Sequence, residues 1–236
     1  MDRVTSGDGP AFAARVARLD PDAPVLARDG RLWATLPIGV LAVRAAEGLP
    51  DGVYRAADLA AGDAAARPES AWRGRLPQRP WAVVETVPAV EVADIDRKAG
   101  DALRERRGSG VGDRRLRDAM LDHVALTIEH GGAHYPVQVR LVAALCRMGF
   151  LGEEPVKVLR AGRRLGLSGT FGAVWERDRG LPLLLPELPS HRSVTDSRRP
   201  EDGTALPSLI HMKPVTVPRA GLRTNARRFI LSVRIG

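Results

Sequence analysis

The chain has 236 residues, of which 44% are hydrophobic and only 4% aromatic, with a net charge of +8 and a single cysteine. This supplies material for one large or two small domains, and it excludes an intrachain disulfide and any multi-cysteine metal site. No run of about 18 apolar residues is present and Met1 to Pro10 lacks the apolar core of a signal peptide, so neither a transmembrane helix nor secretion is expected, and the cytoplasm is the expected compartment.

Pro10 opens a first helical pattern in which Phe12, Val16 and Leu19 share one face, and Asp20-Pro21 ends it. The apolar runs 24–28 and 31–36 flank Asp29-Gly30, a strong hairpin signal, because both central residues of a type I′ turn need positive φ. Val40 to Arg44 reads as a third strand, and the Ala-rich stretch 56–66 as a helix. Pro68, Pro77 and Pro80 make 67–80 a loop or irregular strand, and Trp81 to Val87 reads as a strand.

Pro88 starts a helix with Glu91, Asp94 and Asp96 in its early turns and Arg104, Arg106 and Arg107 in its last, a distribution that complements the helix dipole. Gly108 to Gly112 joins it to a second helix, Asp113 to Ile128, with Leu116, Met120, Val124 and Ile128 at i+4 spacing; together they form a helical hairpin. A further helix runs from Pro136 to Met148, with Gly149 at its C′ position. Three short strands follow, at 155–160, 163–167 and 170–175.

This last unit echoes the first. Each is a helix, a Pro-Val strand, a turn matched at Gly30-Arg31 and Gly162-Arg163, a second strand, and a step at Ile38-Gly39 or Phe171-Gly172 into a third. The expected fold is therefore α+β: two helix-plus-three-stranded antiparallel meander units separated by a helical hairpin, with a largely irregular C-terminal tail. The expected segments are 1–66, 67–87, 88–128, 129–180 and 181–236. In 187–236 there are nine cations and four anions, so the tail carries +5 of the +8. The polar stretch 191–207 reads as disordered, and Phe229 to Ile235 as a strand able to add to a sheet edge.

Arg15 to Pro21, Leu36 to Leu41, Leu116 to Val124 and Arg147 to Gly152 resemble a family of proteins of unknown function from high-GC actinobacteria. The resemblance spans about residues 10–175 and rests on packing and turn motifs. It implies no activity, and no functional residue is carried over.

Several residues invite a chemical reading. Cys146 sits in the apolar run 141–146 with only Arg147 as a neighbouring cation, which fits a small buried hydrophobe better than a nucleophile. Asp122, His123, Glu129, His130 and His134 are the one metal-capable cluster, but Asp122 and His123 lie a helical turn or more from His130, and no metal is expected there. The Gly-rich stretch 107–113 follows a charged helix and lacks the Gly-Lys-Ser/Thr ending of a phosphate loop. Trp33, Trp72, Trp81 and Trp175 read as core residues. No catalytic, cofactor-binding or metal residue is assigned, and no known catalytic motif is present. The expected function is non-catalytic binding or scaffolding of another protein. The alternative is nucleic-acid binding through Arg104, Arg106, Arg107, Arg114, Arg115, Arg117 and the tail arginines.

Overall fold

The computed structural model describes residues 8–105, 113–178, 214–216 and 228–231. It is an α+β structure built on a nine-stranded, wholly antiparallel sheet. The first unit comprises α1 (Asp8–Ala17), β1 (Pro24–Arg28), β2 (Arg31–Leu36), β3 (Val40–Ala45), β4 (Gly52–Arg55) and α2 (Ala56–Ala60). Strand β5 (Ala66–Arg67), a 3-10 turn at Glu69–Ala71 and β6 (Ala82–Val87) follow, then α3 (Ala89–Glu105) and α4 (Asp113–Asp122). Strands β7 (Val124–His130) and β8 (Ala133–Gln138), helix α5 (Val139–Arg147), then β9 (Val156–Ala161), β10 (Arg164–Gly169) and β11 (Gly172–Glu176) complete the second unit. Strands β12 (Pro214–Thr216) and β13 (Arg228–Leu231) come last. Among the described residues no helix is long and apolar enough to cross a membrane.

The large sheet has the order β5-β4-β1-β2-β3-β11-β10-β9-β6. Two meanders of identical strand order, β1-β2-β3 and β9-β10-β11, meet at the β3–β11 seam, where Leu41 opposes Trp175 and Val43 opposes Ala173. The arrangement is pseudo-two-fold, as the repeat in the sequence suggests. The turns are offset by one residue from the sequence match, however. Arg28 opposes Arg31 around Asp29-Gly30, whereas Ala161 opposes Arg164 around Gly162-Arg163, so Gly162 takes the place of Asp29 rather than of Gly30. Asp29 and Gly30 have φ of 52° and 65°, as a type I′ turn requires.

Strict alternation makes the sheet apolar on both faces. On the inner face Val25, Leu32, Ala34, Val40, Val158, Leu167 and Val174 join the helix residues Phe12, Val16, Leu141 and Leu145 in the main core. Helix α1 lies on β2 and β3, and α5 on β3, β10 and β11. The Phe12 and Phe150 rings stack 6.3 Å apart, joining the two units. On the outer face Leu26, Trp33, Leu41, Val43, Val53, Leu159, Ala173 and Trp175 form a second cluster, against which Trp72, Leu76 and Trp81 pack.

Those three residues belong to the connection between β5 and β6, which are the opposite edges of the sheet. Eight interstrand spacings measure about 38 Å along the sheet. The fifteen steps from Arg67 to Ala82 reach roughly 50 Å when extended but only about 22 Å as a helix. The connection is therefore a strap, and its prolines keep it extended. Arg164 fastens it from below, donating from Nη1 to the Arg75 carbonyl (2.7 Å) and from Nε to the Glu176 carbonyl (2.8 Å).

Four expectations are corrected. Leu19 lies beyond α1 and is 40% exposed, because the helix ends at Ala17. The second helix of the hairpin stops at Asp122, and Val124 to Ile128 belongs to β7, where β-branched residues pair with β8. The two-residue turn Gly131-Gly132, with φ of 59° and 77°, closes that hairpin and overrides the i+4 apolar stripe. Pro136 lies in β8, an edge strand that tolerates its missing N–H, and α5 starts only at Val139. The helix expected over 56–66 ends at Ala60, and Ala66–Arg67 instead caps the sheet edge. Strand β4 is not foreseen at all. The connection 108–112 and the polar stretch 191–207 lie outside the described residues. Within the tail, β13 pairs with β7, placing Ile230 opposite Leu126.

Gly166 is a sensitive point of the outer face. A Cβ there meets the Trp175 ring at 2.7 Å and the Val174 carbonyl at 2.8 Å. Gly166→Ala is expected to cost roughly 1–3 kcal/mol, lowering the melting temperature by about 2–10 °C, while Ser168→Ala on the same strand changes it little. Thermal unfolding followed by circular dichroism checks both.

Candidate functional site

The residues singled out by sequence are dispersed. Helix α3 carries alternating charge that neutralises itself: Asp94 pairs with Arg97 and with Lys98 (2.7 Å), and Asp101 pairs with Arg97 (3.3 Å) and Arg104. Lys98 and then Arg97 hold the Asp94 carboxyl below its usual value. Arg114, Arg115 and Arg117 on α4 are exposed, with exposed Asp118 beside them, and Arg106 and Arg107 lie outside the described residues.

His130 and His134 flank the Gly131-Gly132 turn but are not opposed: His130 pairs with Ala133, and His134 with Glu129, whose carboxylate is 3.5 Å from His134 Nδ1. The Asp122 carboxylate is bound by Arg140, which also donates to the Ile38 carbonyl (2.7 Å). Among the described residues no three His, Cys, Asp or Glu side chains are grouped closely enough to hold a metal ion.

Cys146 is half-buried beneath α3, and its thiol is hydrogen-bonded to Asp96. Burial, then the Asp96 carboxylate, push the thiol up to about 12. Burial also raises Asp96, against the opposing pull of Arg147 and the thiol. This is the reverse of the electropositive setting that activates a cysteine.

The densest chemistry lies on the outer face, where the strap delivers Trp81. Its ring is 4.9 Å from that of Trp175 and 6.2 Å, edge-on, from that of Trp33. Trp33 and Trp175 are buried, and Trp72 and Trp81 half-buried, so all four tryptophans pack on this face. The Arg79 guanidinium lies 4.6 Å from the Trp81 ring centroid and that of Arg31 lies 5.7 Å from it. Arg31 shares the face of Trp33 two residues on, and Arg28 opposes Arg31 across the Asp29-Gly30 turn, so both belong to this surface. Burial and then repulsion from Arg79 lower the Arg31 pKa, against a weaker opposing effect of Asp29. No sequence motif marks these arginines. The turn signal does fix Arg28 against Arg31, but nothing local shows where the strap sets Arg79.

The sheet edges are the other asymmetric feature. Strand β5 is two exposed residues ending in Arg67 before Pro68. Strand β6 is six residues without Lys, Arg or Pro; among the described residues it pairs with β9 alone, in a register shifted by a bulge between Val83 and Glu85. Val83 is 51% exposed within it, and Val90 just beyond it is 74% exposed.

Residues 76–181 match the model of a domain of unknown function, DUF8185. The match covers β6 to β11 and starts inside the strap, leaving out β1 to β5. No curated protein matches the chain. Among solved structures, the beta subunit of DNA polymerase III from Thermotoga maritima aligns at 12% identity and a TM-score of 0.43, over 76% of this chain and 65% of that one. The Caulobacter crescentus pol III beta aligns at 12% identity and 0.43, over 78% and 67%. This chain therefore spans about 65% of the length of the first. At these values the likenesses assign neither partner nor activity.

The Cys146 environment predicts a silent thiol. At pH 8, raising a thiol from about 8.5 to about 12 reduces the thiolate fraction by roughly three orders of magnitude. Ellman's reagent is expected to label the folded protein very slowly and the urea-unfolded protein at once. Rapid labelling of the folded protein would contradict the Asp96–Cys146 geometry. The raised value also sets a pH window: the protonated thiol favours the fold below about pH 8.5, and that contribution is lost as pH rises toward about 12.

Proposed function

We propose that the protein is a non-catalytic binding module whose partner is another protein. The observation that carries this reading is the unequal treatment of the two sheet edges. Natural sheets blunt their edges with short strands, charged side chains, proline or bulges. Strand β5 is short, ends in Arg67 and is followed by Pro68, whereas β6 is longer, carries exposed Val83 and is blunted only by Glu85 and the bulge beside it, with exposed Val90 following in the first turn of α3. An edge left in this state is suited to accepting an added strand, with backbone hydrogen bonds giving affinity and alternate side chains giving selectivity. The self-neutralised charge of α3 agrees, since a nucleic-acid surface needs unpaired cations to replace counterions. The reading includes a cytoplasmic setting.

Nucleic-acid binding is the second reading, favoured by exposed Arg114, Arg115 and Arg117 on α4. One experiment separates the two. The immobilised full chain and its Val83→Glu/Val90→Glu variant are exposed to a cell extract with and without nuclease, and bound proteins are identified by mass spectrometry. The protein reading expects a defined protein that survives nuclease and is retained at least about tenfold less by the variant. Retention that nuclease abolishes, or that the variant leaves unchanged, would contradict it.

A further inference from the structure

The outer face carries a second feature that the sheet edge does not explain. The guanidiniums of Arg31 and Arg79 both lie over Trp81, and Arg28 stands opposite Arg31 across the Asp29-Gly30 turn. Among the described residues none of the three has a carboxylate within ion-pair distance, although Asp29 exerts a weak pull on Arg31. Arginines opposed across a strand pair repel one another, and Arg79 adds to the repulsion. Half-buried Arg55, by contrast, is closely paired, with Asp22 and Asp58 at 2.7 and 2.9 Å. The convergence here is held by packing instead. The strap places Arg79 on the indole, and the hairpin places Arg28 and Arg31 in register.

We propose that Arg28, Arg31 and Arg79 form a docking site for an acidic peptide segment, in which carboxylates of the partner supply the anions that this surface lacks. The chemistry favours carboxylates over a nucleic-acid strand. Readers of single strands offer open aromatic faces for bases to stack on. The Trp81 ring instead has two guanidiniums over it and the Trp33 and Trp175 rings against it. A guanidinium lying on an indole keeps its N–H edge outward, the geometry that takes a carboxylate in a two-pronged contact. The cluster is also short. It offers three cations at one turn, with exposed Asp29 at its centre, rather than a track along which a phosphate backbone runs.

The inference rests on the protein-partner reading but not on the β6 edge, and its test uses only the purified full chain. Fluorescein-labelled octaglutamate is titrated at low salt and followed by anisotropy, with a twelve-nucleotide oligothymidylate as the competing probe. Arg31→Gln/Arg79→Gln removes two charges from the site, and Arg97→Gln/Lys98→Gln removes two from α3. Octaglutamate is expected to bind the wild type, weakening about tenfold in the first variant and less than about twofold in the second. Equal loss in both variants, or no binding by the wild type, overturns the site. So does oligothymidylate binding that is tighter than octaglutamate binding and lost in the same variant. Arg79→Gln alone, at an exposed position on the strap, repeats the test should the double variant fail to fold. Octaglutamate binding that survives these changes counts against this site whether or not protein capture depends on Val83 and Val90.

Discussion

A sheet whose alternate residues are apolar on both sides has to be covered twice, and the architecture of this protein follows from that requirement. Helices α1 and α5 cover the inner face in the ordinary way, with Phe12, Leu141 and Leu145 fully buried. The outer face is closed by the extended strap between β5 and β6. The sequence is rich in Ala and poor in aromatics, so a thin cover works only if its few large side chains are well placed. All four tryptophans are committed to that face, two from the sheet and two from the strap. The strap joins the outermost strands, so closing the face also ties the two edges of the sheet together.

The pseudo-two-fold seam explains why the cover is needed over the centre. Where β3 meets β11, Leu41 and Val43 stand beside Trp175 and Ala173 on the outer side. Trp175 is completely buried there, because Gly166 gives its ring room and Trp81 lies across it. The functional proposals grow from the same geometry. The strap ends where β6 begins, and on its way it sets Arg79 against Arg31. Packing thereby holds together charges that repel each other.

Much of this was legible in the sequence. The Asp29-Gly30 turn and the alternation around it gave the first meander, and its echo near Gly162 gave the second, with the turn displaced by one residue. Strand β6 was also readable. Strand β7 was not, because Leu116, Met120, Val124 and Ile128 keep helical spacing while Val124 to Ile128 is equally fit to pair, and only the partner β8 decides between the two. Strand β4 is too short at Gly52–Arg55 to show a period. The prolines of the strap announced irregular structure correctly, but nothing local reveals which face an extended segment crosses. The arginine cluster was half-readable for the same reason: Arg28 against Arg31 follows from the turn, and Arg79 only from the fold.

The account stands or falls on whether the strap closes the outer face. A background in which Trp72 and Trp81 become Phe leaves Trp33 and Trp175 as the only emitters while keeping the strap apolar. Against it, Trp72→Ser/Leu76→Ser/Trp81→Ser removes the strap's large apolar contacts and leaves the helical side of the sheet untouched. Acrylamide quenching of tryptophan emission is the measurement. The account predicts blue-shifted, poorly quenched emission in the phenylalanine background and red-shifted, readily quenched emission in the serine variant, which should also melt markedly lower. Emission that stays blue and protected in the serine variant would contradict it, because Trp33 and Trp175 would then be covered by something other than the strap.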